Sequence, residues 1–138
     1  MFIQVTTEPI KPEAIIKTLE PEFHGAITTF MGTVRKFSEG HHVLHLEYEA
    51  YVDMAERQLQ AIAQEVKRRD EVEDVSIAHR IGKLGIGETS LIVAVASVHR
   101  RPGFEACLYA VERIKELAPI WKKEVWVGGS GWVGAGGA

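Results

Sequence analysis

Two lysines seven residues apart, Lys115 and Lys122, flank Pro119. Proline lacks the N–H a helix needs, so the stretch is expected to run helix, break, strand. A reversal at Pro119 would bring the two ammonium groups together. Neighbouring cations and burial lower a lysine's pKa, and such a lysine can act as acid, base or nucleophile. With Phe104 at the origin of a helical wheel, Cys107, Leu108, Val111, Ile114, Leu117 and Ala118 form one apolar arc. Lys115 falls inside it. Such a lysine either snorkels from the helix end or stands at the floor of a pocket. Lys122 and Lys123 are either a solvated pair or part of that pocket. On a strand, Lys122 and Glu124 face one way, and Trp121 and Lys123 the other.

A second cationic group is His99-Arg100-Arg101, placed where an apolar strand should end and a helix begin. There, backbone N–H groups, the helix dipole and guanidinium groups can converge on an anion. A charged loop is the alternative reading. Arg35 closes a strand of otherwise uncharged residues and can join the same site. His41, His42 and His45 lack the carboxylate or thiol at fixed spacing that a metal centre requires. Cys107 is expected to be a buried small hydrophobe. Trp121, Trp126 and Trp132 either anchor the fold or stack on a flat heterocycle. The chain has no GxSxG, P-loop or HExxH motif, and Gly82 to Gly87 lacks the spacing and following helix of a dinucleotide fingerprint.

The elements that must position these groups follow from periodicity. Strands are expected at Phe2–Thr6, Gly25–Lys36, Val43–Tyr51, Val75–Ile81, Leu91–His99 and Ile120–Val127. The second and third should form a hairpin around Ser38-Glu39-Gly40. In the first of that pair, Ala26, Thr28, Phe30, Gly32 and Val34 share a face. The continuous apolar run Leu91–Val98 predicts a central strand covered on both sides. Helices are expected from Pro12 to Leu19, closed by Pro21; from Val52 to Arg69, on the stripe Val52, Ala55, Leu59, Ile62, Ala63, Val66; and from Pro102 to Ala118. The whole is a single α+β domain over residues 1–127 with a mixed or antiparallel sheet and two main helices. Residues 128–138, rich in glycine, are expected to be a flexible tail.

Composition agrees: of 138 residues, 46% are hydrophobic and 25% charged, with one cysteine. This length buries a core without disulfides. A lone cysteine suits a reducing compartment, and no targeting or membrane-spanning segment is visible, so a cytoplasmic location is expected. The net charge of −3 conceals an asymmetry: residues 1–78 carry −6 and residues 79–123 carry +4. That basic island suits a local anionic ligand better than a nucleic acid or membrane.

Several ordered segments complete the picture. They are Gly25-Ala26, Phe30-Met31-Gly32-Thr33-Val34-Arg35, Leu46-Glu47-Tyr48-Glu49-Ala50-Tyr51, His79-Arg80-Ile81-Gly82, Gly87-Glu88, Ser97-Val98-His99-Arg100 with Phe104-Glu105-Ala106, and Lys115 with Pro119-Ile120-Trp121-Lys122-Lys123-Glu124. Together they resemble the large, catalytic subunits of molybdopterin synthases, the MoaE family. The resemblance implies an α/β hammerhead-type fold. It also implies conversion of cyclic pyranopterin monophosphate to molybdopterin, with sulfur from the C-terminal thiocarboxylate of a small ubiquitin-like subunit. Two large subunits would form a central dimer within a heterotetramer. By position, Lys115 and Lys122 fall on the catalytic pair. Thr33, Val34, Arg35, His99, Arg100, Lys115, Lys122, Lys123 and Glu124 fall on substrate- and tail-binding positions. No metal or organic cofactor is implied. Pro102-Gly103 departs from the small polar residues that often follow the His-Arg pair.

The competing expectation is a non-catalytic α+β module that binds a phosphometabolite or an acidic carrier tail. The chain is not expected to be the sulfur carrier itself. Such carriers end in Gly-Gly, whereas this sequence ends Gly136-Gly137-Ala138.

Overall fold

The run of apolar residues in β7 (Thr89–Ser97) dictates the layering. Leu91, Val93 and Val95 point into the main core, while Ile92, Ala94 and Ala96 point the other way, towards Ile15 and Leu19. A strand buried on both faces needs a cover on both, which is why no polar alternation appears in it. The structure, a computed structural model, describes residues 1–19, 22 and 24–133. In it β7 is an inner strand of a mixed sheet ordered β1 (Phe2–Thr6), β5 (Val72–Arg80), β7, β2 (Ala26–Thr33). Only the β1–β5 pair is parallel. The short α1 (Pro12–Ile16) contacts β5 and β7 on one face. The long helices α2 (Val52–Lys67) and α3 (Arg100–Leu117) cover the other face and touch each other. No helix among the described residues is long and apolar enough to cross a membrane.

A second, antiparallel sheet runs β3 (Phe37–Ser38), β4 (His41–Ala50), β8 (Ile120–Trp126), β9 (Gly129–Val133), and β6 (Gly82–Gly85) also pairs with β4. The α+β class and the main helices are as expected. The hairpin between β2 and β4 is not: β2 pairs β7, and β4 pairs β3, β6 and β8. Alternation tells which face a residue takes, not which strand lies alongside. Ser38-Glu39-Gly40 does turn the chain, with Glu39 and Gly40 both at positive φ, but into the two-residue β3. α1 ends at Ile16, and Pro21, expected to close it, lies outside the described residues.

The flexible tail also needs correction. Residues 129–133 pair with β8 from Trp126↔Gly129 to Lys122↔Val133, after a turn in which Gly128 has φ 90°. The glycines there provide clearance. A Cβ on Gly129 or Gly131 would stand 3.0 or 3.1 Å from the Trp126 ring. Residues 134–138 lie outside the described residues.

In α2, Ala55, Leu59, Ile62, Ala63 and Val66 are all buried, as their spacing predicts. In α3 the buried residues are Gly103, Ala106, Cys107, Ala110, Val111 and Ile114, whereas Phe104 is 62% and Leu108 61% exposed. The core face is thus turned by roughly an eighth of a turn from the expected arc. The cause is the closeness of helix and sheet. A Cβ at Gly103 would lie 2.6 Å from Ser97 Oγ and 2.7 Å from Thr28 Oγ1. In its first turns the helix therefore presents Gly103 and Ala106 to the sheet and turns Phe104 and Leu108 outward. Gly103→Ala should destabilise the protein by ~1–3 kcal/mol through overpacking, despite alanine's better helix propensity. Chemical denaturation measures this.

His79 on β5 is fully buried. Its Nδ1–H donates to the Arg80 carbonyl at 2.8 Å, and burial pushes its pKa down to about 4, against that hydrogen bond. The unfolded chain, with an ordinary histidine, binds more protons than the folded one between about pH 6.5 and 4. Stability from this group is present above pH 6.5 and is lost as pH falls towards 4, by about 3 kcal/mol for a shift of this size. Unfolding curves across this window should slope less steeply for His79→Gln than for the parent.

Candidate active site

β2 carries Thr33 to the rim of the mixed sheet, and the chain continues through Val34 to Arg35. Val34 N–H donates to Glu88 O at 3.1 Å and Gly87 N–H to Val34 O at 2.9 Å. That clamp buries Val34 and leaves Arg35 exposed. Lys115 lies in the last turn of α3, where a cation complements the helix dipole. Ala118 is already extended, and past Pro119 the chain enters β8, antiparallel to β4. Lys122 then sits directly opposite Tyr48.

These pieces meet in one cavity of about 400 Å³ whose lining includes Thr33, Arg35, Tyr48, Ser90, Lys115 and Lys122. The reversal at Pro119 does bring the two lysines together. Lys115, however, is exposed rather than buried in the helix's apolar face. Burial pushes the Lys122 pKa down, and the nearby Lys115 and Arg35 charges add to this, while Glu124 and Glu39 oppose it. Tyr48 is raised chiefly by burial, against a hydrogen bond with Ser90, with Glu124 adding a further rise. The site thus combines three cations, one of them partly desolvated, with the hydroxyl residues Thr33, Tyr48 and Ser90. Such a cavity can hold an anion, stabilise charge that develops on it, and exchange a proton with it.

The other expected residues divide. Glu124 is buried on the Lys122 side of β8 but does not line the cavity, and Val34 belongs to the core. Lys123 faces away: its Nζ is 3.9 Å from Glu47 Oε2 and 5.8 Å from the Trp132 ring centre. His99 caps α3, exposed and paired with Glu71. Arg100 opens the helix and lines a separate shallow hollow with Arg101, Phe104 and Glu105. A single chain therefore does not unite Arg35 with His99 and Arg100 as expected. A further concavity of about 380 Å³, with Tyr51, Trp121 and Trp132 in its wall, lies on the opposite face of the β4–β8 sheet, away from these cations. His41 stacks on Trp126 at 4.0 Å, and His45 pairs with Glu47 at 3.3 Å. Cys107 is buried, and its thiol is pushed up to about 11 by burial. Tyr48 and Ser90 were not expected in the site. Their signal was a polar tip on the apolar face of one strand and a pair of hydroxyl residues, Thr89 and Ser90, leading a buried one.

Fold and cavity define a small α+β domain built around a cationic pocket for an anionic small molecule. A protein-family model described as "MoaE protein" matches residues 5–117. The molybdopterin synthase catalytic subunit of Bacillus subtilis is 48% identical over 131 residues, covering 95% of this chain and 83% of the relative. The crystal structure of molybdopterin synthase from Staphylococcus aureus superposes with a TM-score of 0.90 at 42% identity, over 95% of this chain and 96% of that one. The MoaE protein of Burkholderia ambifaria gives 0.79 at 34%, over 96% and 88%. The chain belongs to the MoaE family.

Proposed function

We propose that this chain is the catalytic subunit of a molybdopterin synthase, an enzyme of molybdenum cofactor biosynthesis. It converts cyclic pyranopterin monophosphate to molybdopterin with sulfur delivered as the thiocarboxylate of a small carrier subunit. The observation that carries the reading is the meeting of Arg35, Lys115 and Lys122 in one cavity, in a chain whose relatives bear that name. Substrate phosphate and carrier thiocarboxylate are both anions, and the cavity's cations suit both. As the thiocarboxylate sulfur attacks the pterin side chain, an oxygen is displaced from the attacked carbon with negative charge that Lys115 and Lys122 stabilise, and water then cleaves the acyl C–S bond, leaving sulfur on the pterin and a carboxylate on the carrier. Lys122, with its lowered pKa, is the better proton donor.

His99 and Arg100 contribute to substrate binding from a second copy. Exposed Ile27, Met31, Phe104 and Leu108 supply apolar surface for such a homodimer. The setting is the cytoplasm. Reconstitution tests the reading: protein, thiocarboxylated carrier and pyranopterin monophosphate should yield dithiolene pterin. Binding of carrier and pterin without product would favour the non-catalytic module instead.

A further inference from the structure

Arg35 reaches the cavity from beyond the end of β2, where the mixed sheet no longer holds the chain by itself. The β2–β7 register shifts between Gly32 and Thr33, which interrupts the ladder just before Val34. There the backbone is clamped instead by Glu88 O and Gly87 N–H. One carboxylate holds the turn that makes this clamp. Glu88 Oε1 accepts from Gly85 N–H at 2.6 Å, and Glu88 Oε2 accepts from Arg80 Nη1 at 2.6 Å. Glu88 N–H also donates to the Gly85 carbonyl at 3.2 Å. Arg80 is fixed from its other side, since its Nε–H donates to the Thr7 carbonyl at 3.3 Å. Its side chain is only 12% exposed. Gly87, at φ 82°, supplies the left-handed turn, and a Cβ at Gly85 would stand 2.9 Å from Glu88 Oε1.

Neither Glu88 nor Arg80 lines the cavity, whereas Arg35 does. Among the described residues, Arg35 has no carboxylate within salt-bridge distance, so the clamped backbone of Val34 fixes the base of its side chain. We propose that Glu88, braced by Arg80, is a positioning residue of this site: through the Val34 clamp it sets where Arg35 presents its guanidinium to the phosphate of a pterin-class substrate. The proposal rests on the pterin-converting reading and adds to it the strut that aims one of the anion-binding cations. Aim matters because a displacement of about 1 Å in a positioned group can cost ~100-fold.

The test compares the parent, Arg35→Ala, Glu88→Gln and the double variant in the full chain. Glutamine has one carboxamide oxygen, so it accepts from Gly85 or from Arg80 while its amino group faces the other donor. Inorganic phosphate, titrated by calorimetry, probes the cations. Arg35→Ala should weaken its binding ~10–100-fold. Glu88→Gln should weaken it ~3–10-fold, and the double variant should be no worse than Arg35→Ala, because the strut acts only through that guanidinium. The second readout is the Lys122 titration, followed by NMR of labelled lysine. The Arg35 charge holds the Lys122 pKa down, so Glu88→Gln should raise it, in the same direction as Arg35→Ala. A residue that only stabilised the fold would lower the unfolding midpoint without moving that titration. Arg80→Lys, which keeps the charge but not the fork that spans Thr7 and Glu88, should repeat the pattern at smaller size. Unchanged phosphate affinity, an unmoved Lys122 titration, or additive loss in the double variant would each overturn the proposal. If the strut variants behave as expected but the parent forms no dithiolene pterin, the proposed reaction fails and the positioning role stands. If the parent turns over and Glu88→Gln binds and titrates as the parent does, the positioning role fails and the reaction stands.

Discussion

Lys115→Ala should abolish molybdopterin formation, with turnover reduced by ~10²–10⁴-fold, the range a positioned proton-transfer or charge-stabilising group supplies. The fold should not suffer. Lys115 is exposed on the last turn of α3 and, among the described residues, has no carboxylate within salt-bridge distance. Its loss removes a favourable helix-end charge, ~0.3–1 kcal/mol at most. The two effects separate cleanly: single-turnover assays with thiocarboxylated carrier fall to background while the unfolding midpoint barely moves. Lys115→Arg discriminates further. It restores charge but not a group able to give up a proton, so partial rescue assigns charge stabilisation and no rescue assigns proton transfer. Full turnover in Lys115→Ala would remove this lysine from the mechanism.

Lys122 carries the second large effect, and its signature is a pH profile. Lys122→Gln should lower turnover by ~10²–10³-fold. In the parent, activity that needs the Lys122 ammonium falls as pH rises through its pKa. Because burial and then the Lys115 and Arg35 charges depress that value, the alkaline limb should lie below the ordinary lysine value of 10.5. The neighbours shift it in opposite senses. Arg35→Ala removes a cation and should move the limb to higher pH; Glu124→Gln removes a supporting carboxylate and should move it lower. If neither variant displaces the limb, a different group titrates there.

What could be read before the fold was known has a physical pattern. The strands of the core and the stripe of α2 were legible because burial imposes a period, two or 3.6 residues, on one chain segment. Neighbouring strands were not legible, because β2 looks the same beside β4 as beside β7. The face of α3 was misjudged because Phe104 and Leu108 outweigh glycine and alanine in any hydrophobic count, while the buried face takes in Gly103, Ala106 and Ala110 beside Cys107, Val111 and Ile114. Lys115 and Lys122 were found together because a proline break with a lysine on each side is a local feature. Tyr48 and Ser90 join them only through the pairing of β4 with β8 and the burial of β7, which are long-range facts. His99 and Arg100 were correctly placed at a strand-to-helix junction, yet the cavity lies elsewhere on the chain's surface.

The antiparallel match of β4 to β8 couples residues 43–50 to residues 120–126. The proposed catalytic cavity collects groups from β2 onward and closes with Lys122. No shorter N-terminal portion of the polypeptide can contain it. During synthesis the cavity cannot be complete until β8 has left the ribosome and paired with a strand made long before, because contacts so far apart in sequence form late. Under the proposed reaction, a carrier's thiocarboxylate would meet a finished pocket or none, and its sulfur would not be exposed to a half-built one.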